Sequence, residues 1–198
     1  MSYGEALVTA PTEEPLSIAE AKTHVGLPQS VRDHDSHLQR LITSARQMVE
    51  DEANRQIITA TWDFTFDCFP LGRDALLLPR APLSSISSVS YTDADGGSQT
   101  WSSSNYTAST DRDPGRVFPV FNTVWPTTRH IEDALTVRAV CGYGQRADVP
   151  DKVRSLLLLL VDGWFNGRSG EGDITPGAQA LLDSLDIGDE LLCYGREN

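Results

Sequence analysis

The hydrophobic pattern of the chain switches between two periods, and the switches divide it into regions. Apolar side chains first recur at helical spacing: Leu38, Leu41, Ile42, Ala45, Met48, Val49 and Ala53 fall on one stripe and predict a helix over about 33–56. Asp33 and Asp35 sit in its first turn, where negative charge suits the dipole. Arg40, Arg46, Glu50 and Asp51 are expected on the opposite, solvated face, with Arg46 and Glu50 spaced to pair. A shorter helix is expected just before, over 18–25. Ser17 and Glu20 form a capping box, Leu16 can act as a hydrophobic staple, and Gly26 supplies a stop.

After Ile58 the period becomes two. Trp62, Phe64, Phe66 and Cys68 alternate with Asp63, Thr65 and Asp67, the pattern of a half-buried strand. Further strands are expected at 76–78, 87–92, 99–101, around Tyr106 and Val117, and at 135–141. Asp93-Ala94-Asp95-Gly96-Gly97 reads as a hairpin turn. Helical spacing returns after Pro150 with Val153, Leu156, Leu157, Leu160, Val161, Trp164 and Phe165, and Leu158 and Leu159 make this helix apolar on nearly every side. Such a helix must be covered by several elements or by neighbouring subunits, and Leu158, Leu159, Trp164 and Phe165 are the candidates for subunit packing. A glycine-rich linker at 167–172 leads to a last short helix over about 176–185.

The pattern therefore predicts an α+β chain. An N-terminal arm (1–14) precedes a helical core (15–58 and 148–168) of three main helices plus a C-terminal helix. An antiparallel β subdomain (59–147) is inserted in it, and a hinged extension (169–198) follows.

Charge narrows the function. The chain of 198 residues has 16 basic and 28 acidic side chains, the reverse of what gripping a phosphate backbone requires. Residues 170–198 hold seven acidic side chains and only Arg196 as a base. Ile187, Leu191, Leu192, Cys193 and Tyr194 lie among those acids behind the hinge. Together with Leu181 and Leu185 they are expected to dock on a partner, the rival being a short helix folded back on its own core. The three cysteines form no C-x-x-C pair, and the longest apolar run, 156–161, falls far short of the ~20 residues of a membrane span.

No catalytic signal exceeds its structural alternative. His34 and His37 share a helix face but lack a third metal ligand at characteristic spacing. Asp93 and Asp95 resemble the start of a calcium loop, yet Ser104 stands where the bidentate glutamate belongs. Gly142-Tyr143-Gly144 is too short for a phosphate cradle, and His130 with Glu132 and Asp133 reads as a surface loop. A small metal-dependent hydrolase using these histidines is one alternative. A sugar-binding module is another, and it requires Trp101 and Trp125 exposed on one face.

The ordered series Pro15-Leu-Ser-Ile-Ala-Glu-Ala-Lys22, Leu41-Ile-Thr-Ser-Ala-Arg46, Arg55-Gln-Ile57, Thr61-Trp62, Phe69-Pro70, Leu78-Pro79, Ala81-Pro-Leu83, Tyr91-Thr-Asp93, Trp125-Pro126, Cys141-Gly-Tyr-Gly144 and Val149-Pro150 resembles the gp6-like head-tail connector (adaptor) family of phages. The similar branch carries a β insertion and also occurs in prophages and gene transfer agents. The resemblance covers about 15–168. It implies a non-enzymatic structural protein of the virion neck without metal or cofactor, assembled in the bacterial cytoplasm. It further implies a homo-oligomeric ring, typically of 12 copies, that binds the portal protein and joins it to the stopper or tail. In related connectors the C-terminal segment reaches the portal, which gives Leu181, Leu185, Ile187, Leu191, Leu192 and Tyr194 their expected role. DNA would pass through the lumen without sequence reading, and no membrane is involved.

Overall fold

The computed structural model describes residues 3–167 and 170–185. In chain order the elements are β1 (Tyr3–Thr9), α1 (Ile18–His24), α2 (Asp35–Glu52), β2 (Ala60–Phe66), β3 (Leu76–Leu77), β4 (Leu83–Thr92), β5 (Ser98–Trp101), β6 (Tyr106–Ser109), β7 (Arg116–Pro119), β8 (Leu135–Cys141), α3 (Asp151–Phe165) and α4 (Pro176–Asp183). Among the described residues they form two compact units. A sheet unit comprises 3–10 and 59–142, and a helical unit comprises 11–58 and 143–185.

In the sheet unit, a five-stranded antiparallel sheet has the order β1-β2-β8-β4-β5, and a three-stranded sheet has the order β3-β7-β6. The period-two pattern explains why β8 is central. Leu135, Val137, Ala139 and Cys141 are all buried on one face and meet Phe64, Phe66, Leu83 and Val89 in the core. On the other face Arg138 grips Asp63, its cross-strand neighbour, through two bonds of 2.7 and 2.8 Å. Cys68, expected on the apolar face, lies beyond the end of β2 and is exposed.

The segment expected as an N-terminal arm is a strand. Tyr3, Glu5 and Leu7 pair with Phe66, Phe64 and Trp62, and β1 closes one end of the five-stranded sheet. Its partner strand lies more than fifty residues away in sequence, so no local signal marked it. The hairpin over 93–97 forms as expected. Asp93 Oδ1 accepts from Asp95 N and Gly97 N at 3.1 and 2.7 Å, and Gly96 takes φ 92°, a conformation glycine adopts without strain.

In the helical unit, α1 carries the anticipated capping box. Ser17 Oγ accepts from Glu20 N, and Glu20 Oε2 accepts from Ser17 N at 2.8 Å. Replacing Ser17 with alanine is expected to cost about 1 kcal/mol in chemical denaturation. The stripe of α2 is buried as predicted, except that Met48 is only partly covered, and it packs with Leu156, Leu157, Leu160 and Val161 of α3. Arg46 and Glu50, expected on a solvated face, are instead buried. Arg46 bonds Glu14 at 2.8 Å and Glu50 at 2.5 Å, while Glu50 Oε1 accepts from Ile57 N and Gln56 Nε2. The carboxylate thus satisfies a backbone donor just past the helix end that would otherwise lie unpaired in the core.

Ion pairs hold several carboxyls below the usual carboxylate range. The bond from Lys22 lowers Asp35, that from Arg138 lowers Asp63, and that from Arg40 lowers Glu171. Groups with a depressed folded pKa stabilise the fold above their unfolded value and lose that contribution as pH falls through the folded value. The melting temperature is therefore expected to hold through neutral pH and to fall progressively below about pH 4.5. Thermal melts across an acid series check this.

Candidate interaction surfaces

The residues with catalytic potential are not brought together. His34 and His37 flank the Phe165 ring, with centroids 5.5 and 5.7 Å away, so they form an aromatic contact of the helical unit. Among the described residues no three His, Cys, Asp or Glu side chains are placed to hold a metal ion. Asp93 is occupied by its turn and by Gln99 Nε2 at 2.8 Å, and His130, Glu132 and Asp133 lie on an exposed loop. Cys141 is buried in the sheet core, and burial pushes its thiol up to about 12.

Trp101 and Trp125, which a sugar-binding face would expose, are only 7% and 8% accessible. Trp125 stacks on Phe69 at 4.9 Å and meets Trp101 at the same distance, while Trp101 stacks on Tyr106 at 5.4 Å and Phe69 also contacts Tyr91. The Trp125 indole donates to Asp74 O at 2.9 Å, so its polar tip is satisfied inside the cluster. These aromatics are the core between strands.

The residues read as subunit-packing candidates on α3 divide. Trp164 is buried in its own chain and donates to Asp173 O at 2.9 Å. Leu158 and Phe165 are partly buried against the same core, and Leu159 alone of the four is exposed, at 39%. Just past α4, Leu185 is buried in the helical core, and on α4 Leu181 packs partly against it. Arg55 reinforces this by bonding Leu185 O, and Arg40 holds Glu171 in the segment leading to α4. Up to Leu185, then, this stretch lies on the helical core of its own chain. Ile187, Leu191, Leu192 and Tyr194 lie outside the described residues.

One surface had no counterpart in the pattern reading. Leu71, Phe121 and Val124 are 75%, 83% and 65% exposed on two loops of the sheet unit. Those loops are tied by Arg73 donating to Val120 O at 2.9 Å and by the Trp125 bond to Asp74 O. Asn122 next to Phe121 takes φ 61°, which asparagine tolerates better than most residues. The signal in the sequence was the run Val120-Phe-Asn-Thr-Val-Trp125, apolar without strand alternation. Phe121→Ser is expected to change stability by less than about 0.5 kcal/mol, because the ring contributes little to the core. A melting curve checks it.

Comparison with known proteins places this fold. No family model matches the chain, and no curated protein matches it in sequence. Among solved structures, it resembles a chain in the virion of a native gene transfer agent (GTA) particle with a TM-score of 0.75 and 17% identity, covering 92% of this chain and 94% of that one. It also resembles chains in the neck of an empty GTA particle computed with C6 symmetry and in the neck of a native GTA particle computed with C12 symmetry. The TM-scores are 0.72 and 0.70, the identities 18% and 17%, with 92% and 94% of this chain covered and 95% of each of those. The two units together thus make up a fold found, nearly end to end, in chains of such particles.

Proposed function

We propose that this chain is a structural head-tail connector of a tailed phage or phage-like particle. It forms a homo-oligomeric ring, taken as 12 copies, beneath the portal protein and joins it to the stopper or tail. The observation that carries the reading is the likeness of fold over more than nine-tenths of both chains to chains of GTA virions and necks. The sixfold and twelvefold symmetry of those necks supports a ring. The acidic balance suits a lumen through which DNA passes without adhering.

The acidic C-terminal run with Ile187, Leu191, Leu192 and Tyr194 is the proposed contact with the portal. The burial of Leu185 and partial burial of Leu181 shift that role onto the residues beyond 185. Exposed Leu159 is the remaining candidate on α3 for packing between ring subunits. Assembly in the bacterial cytoplasm belongs to the same reading. A chain truncated after Leu185 is expected to fold with an unchanged melting temperature and to lose co-sedimentation with purified portal rings. Full retention of portal binding would remove the C-terminal contact from the account.

A further inference from the structure

The core layer of the sheet unit runs past its last strand. Tyr3, Glu5 and Leu7 continue the face that holds Phe66, Phe64 and Trp62, yet Tyr3 and Leu7 remain 43% and 47% exposed. Among the described residues no strand lies against the outer edge of β1. Edge strands of soluble proteins are ordinarily protected by lysine, proline or shortness. β1 has seven residues, no lysine and no proline. Its one charge, Glu5, is held by Arg80 through bonds of 2.8 and 3.0 Å, and Arg80 in turn lies 4.2 Å over the Trp62 ring. On a chain of net charge −12, this edge is a locally neutral, apolar strip.

We propose that the β1 edge pairs antiparallel with β1 of a second copy of this chain in the free protein. The register is set by the regular part of the strand, before its irregularity at Leu7/Thr9. Centring the two-fold axis on Glu5 places Tyr3 opposite Leu7 of the second copy, an aromatic against an aliphatic side chain on the core face, and Gly4 opposite Ala6 on the solvent face. The two Glu5 carboxylates meet at the axis with their charge already offset by Arg80. Equal length, matching faces and lack of net charge favour a second copy over an acidic partner. An isologous pair of this kind closes on itself and hides both edges. It is independent of the neck reading, and a ring of equivalent subunits has to open it.

The test is sedimentation of the purified full-length chain over a range of concentrations, with amide hydrogen exchange on the same samples. The expected result is a dimer whose residues 3–9 exchange more slowly as concentration rises. Leu7→Lys should be monomeric, with the melting temperature that the native chain shows when diluted to monomer, and Leu159→Lys should stay dimeric. A chain monomeric at every concentration overturns the proposal. So does a dimer without added protection over 3–9, or one that Leu159→Lys dissolves and Leu7→Lys does not. The exchange measurement on the native chain decides the matter even if Leu7→Lys folds poorly.

Discussion

Replacing Glu50 with alanine is expected to destabilise the helical unit by about 3–5 kcal/mol. The side chain is 5% exposed and serves three groups at once: the Arg46 guanidinium, the Gln56 amide and the Ile57 backbone N–H. Its removal leaves Arg46, with its remaining partner Glu14, short of half its neutralising charge in a buried site. It also strips a backbone donor of its acceptor. Loss of one member of a buried charged network costs far more than the network adds over an apolar replacement, because the surviving charges stay desolvated. Glu50→Gln keeps an acceptor for Ile57 N and is expected to lose less than the alanine variant. Urea denaturation of both variants measures the order, and a Glu50→Ala chain as stable as the native one would show that Arg46 finds water.

Trp125→Ala is expected to cost the sheet unit about 3–5 kcal/mol, through a cavity as well as lost stacking. The indole is in contact with Phe69 and Trp101, and these in turn support Tyr91 and Tyr106, so one deletion loosens a connected cluster. Trp125→Phe retains most of the apolar volume but leaves Asp74 O without its donor, and is expected to cost about 1–3 kcal/mol. Near-ultraviolet circular dichroism should lose a large share of its aromatic signal in the alanine variant, since the rings are held at fixed angles. A stable variant with exposed, mobile aromatics would contradict the packing described for this cluster.

The elements of the fold were legible wherever the information was local. The stripe of α2, the capping box at Ser17 and Glu20, the hairpin at Asp93 and the alternation of β8 each follow from neighbours a few residues apart. The failures are non-local. β1 looked like an arm because its pairing partner comes after two helices. Arg46 looked solvated because the carboxylate that accompanies it into the core, Glu14, lies 32 residues earlier. Trp101 and Trp125 were open from sequence, since an aromatic outside a periodic run fits a core and a binding face equally well. The short helix α4 was legible from Thr175-Pro176, but the surface that its apolar residues pack on, α3 of the same chain, was not marked by any local signal. No motif of catalytic chemistry rose above its structural alternative. The functional reading grew from the order of motifs along the chain and was strengthened by likeness of fold.

The central claim, that the chain is a ring subunit at a particle neck, is tested most directly by a cryo-EM reconstruction of the neck of particles assembled with this chain. The account predicts a ring of density between portal and tail into which both the sheet unit and the helical unit fit, with every copy related by the rotational symmetry of the neck. A resolved neck in which no ring accepts these two units would contradict it.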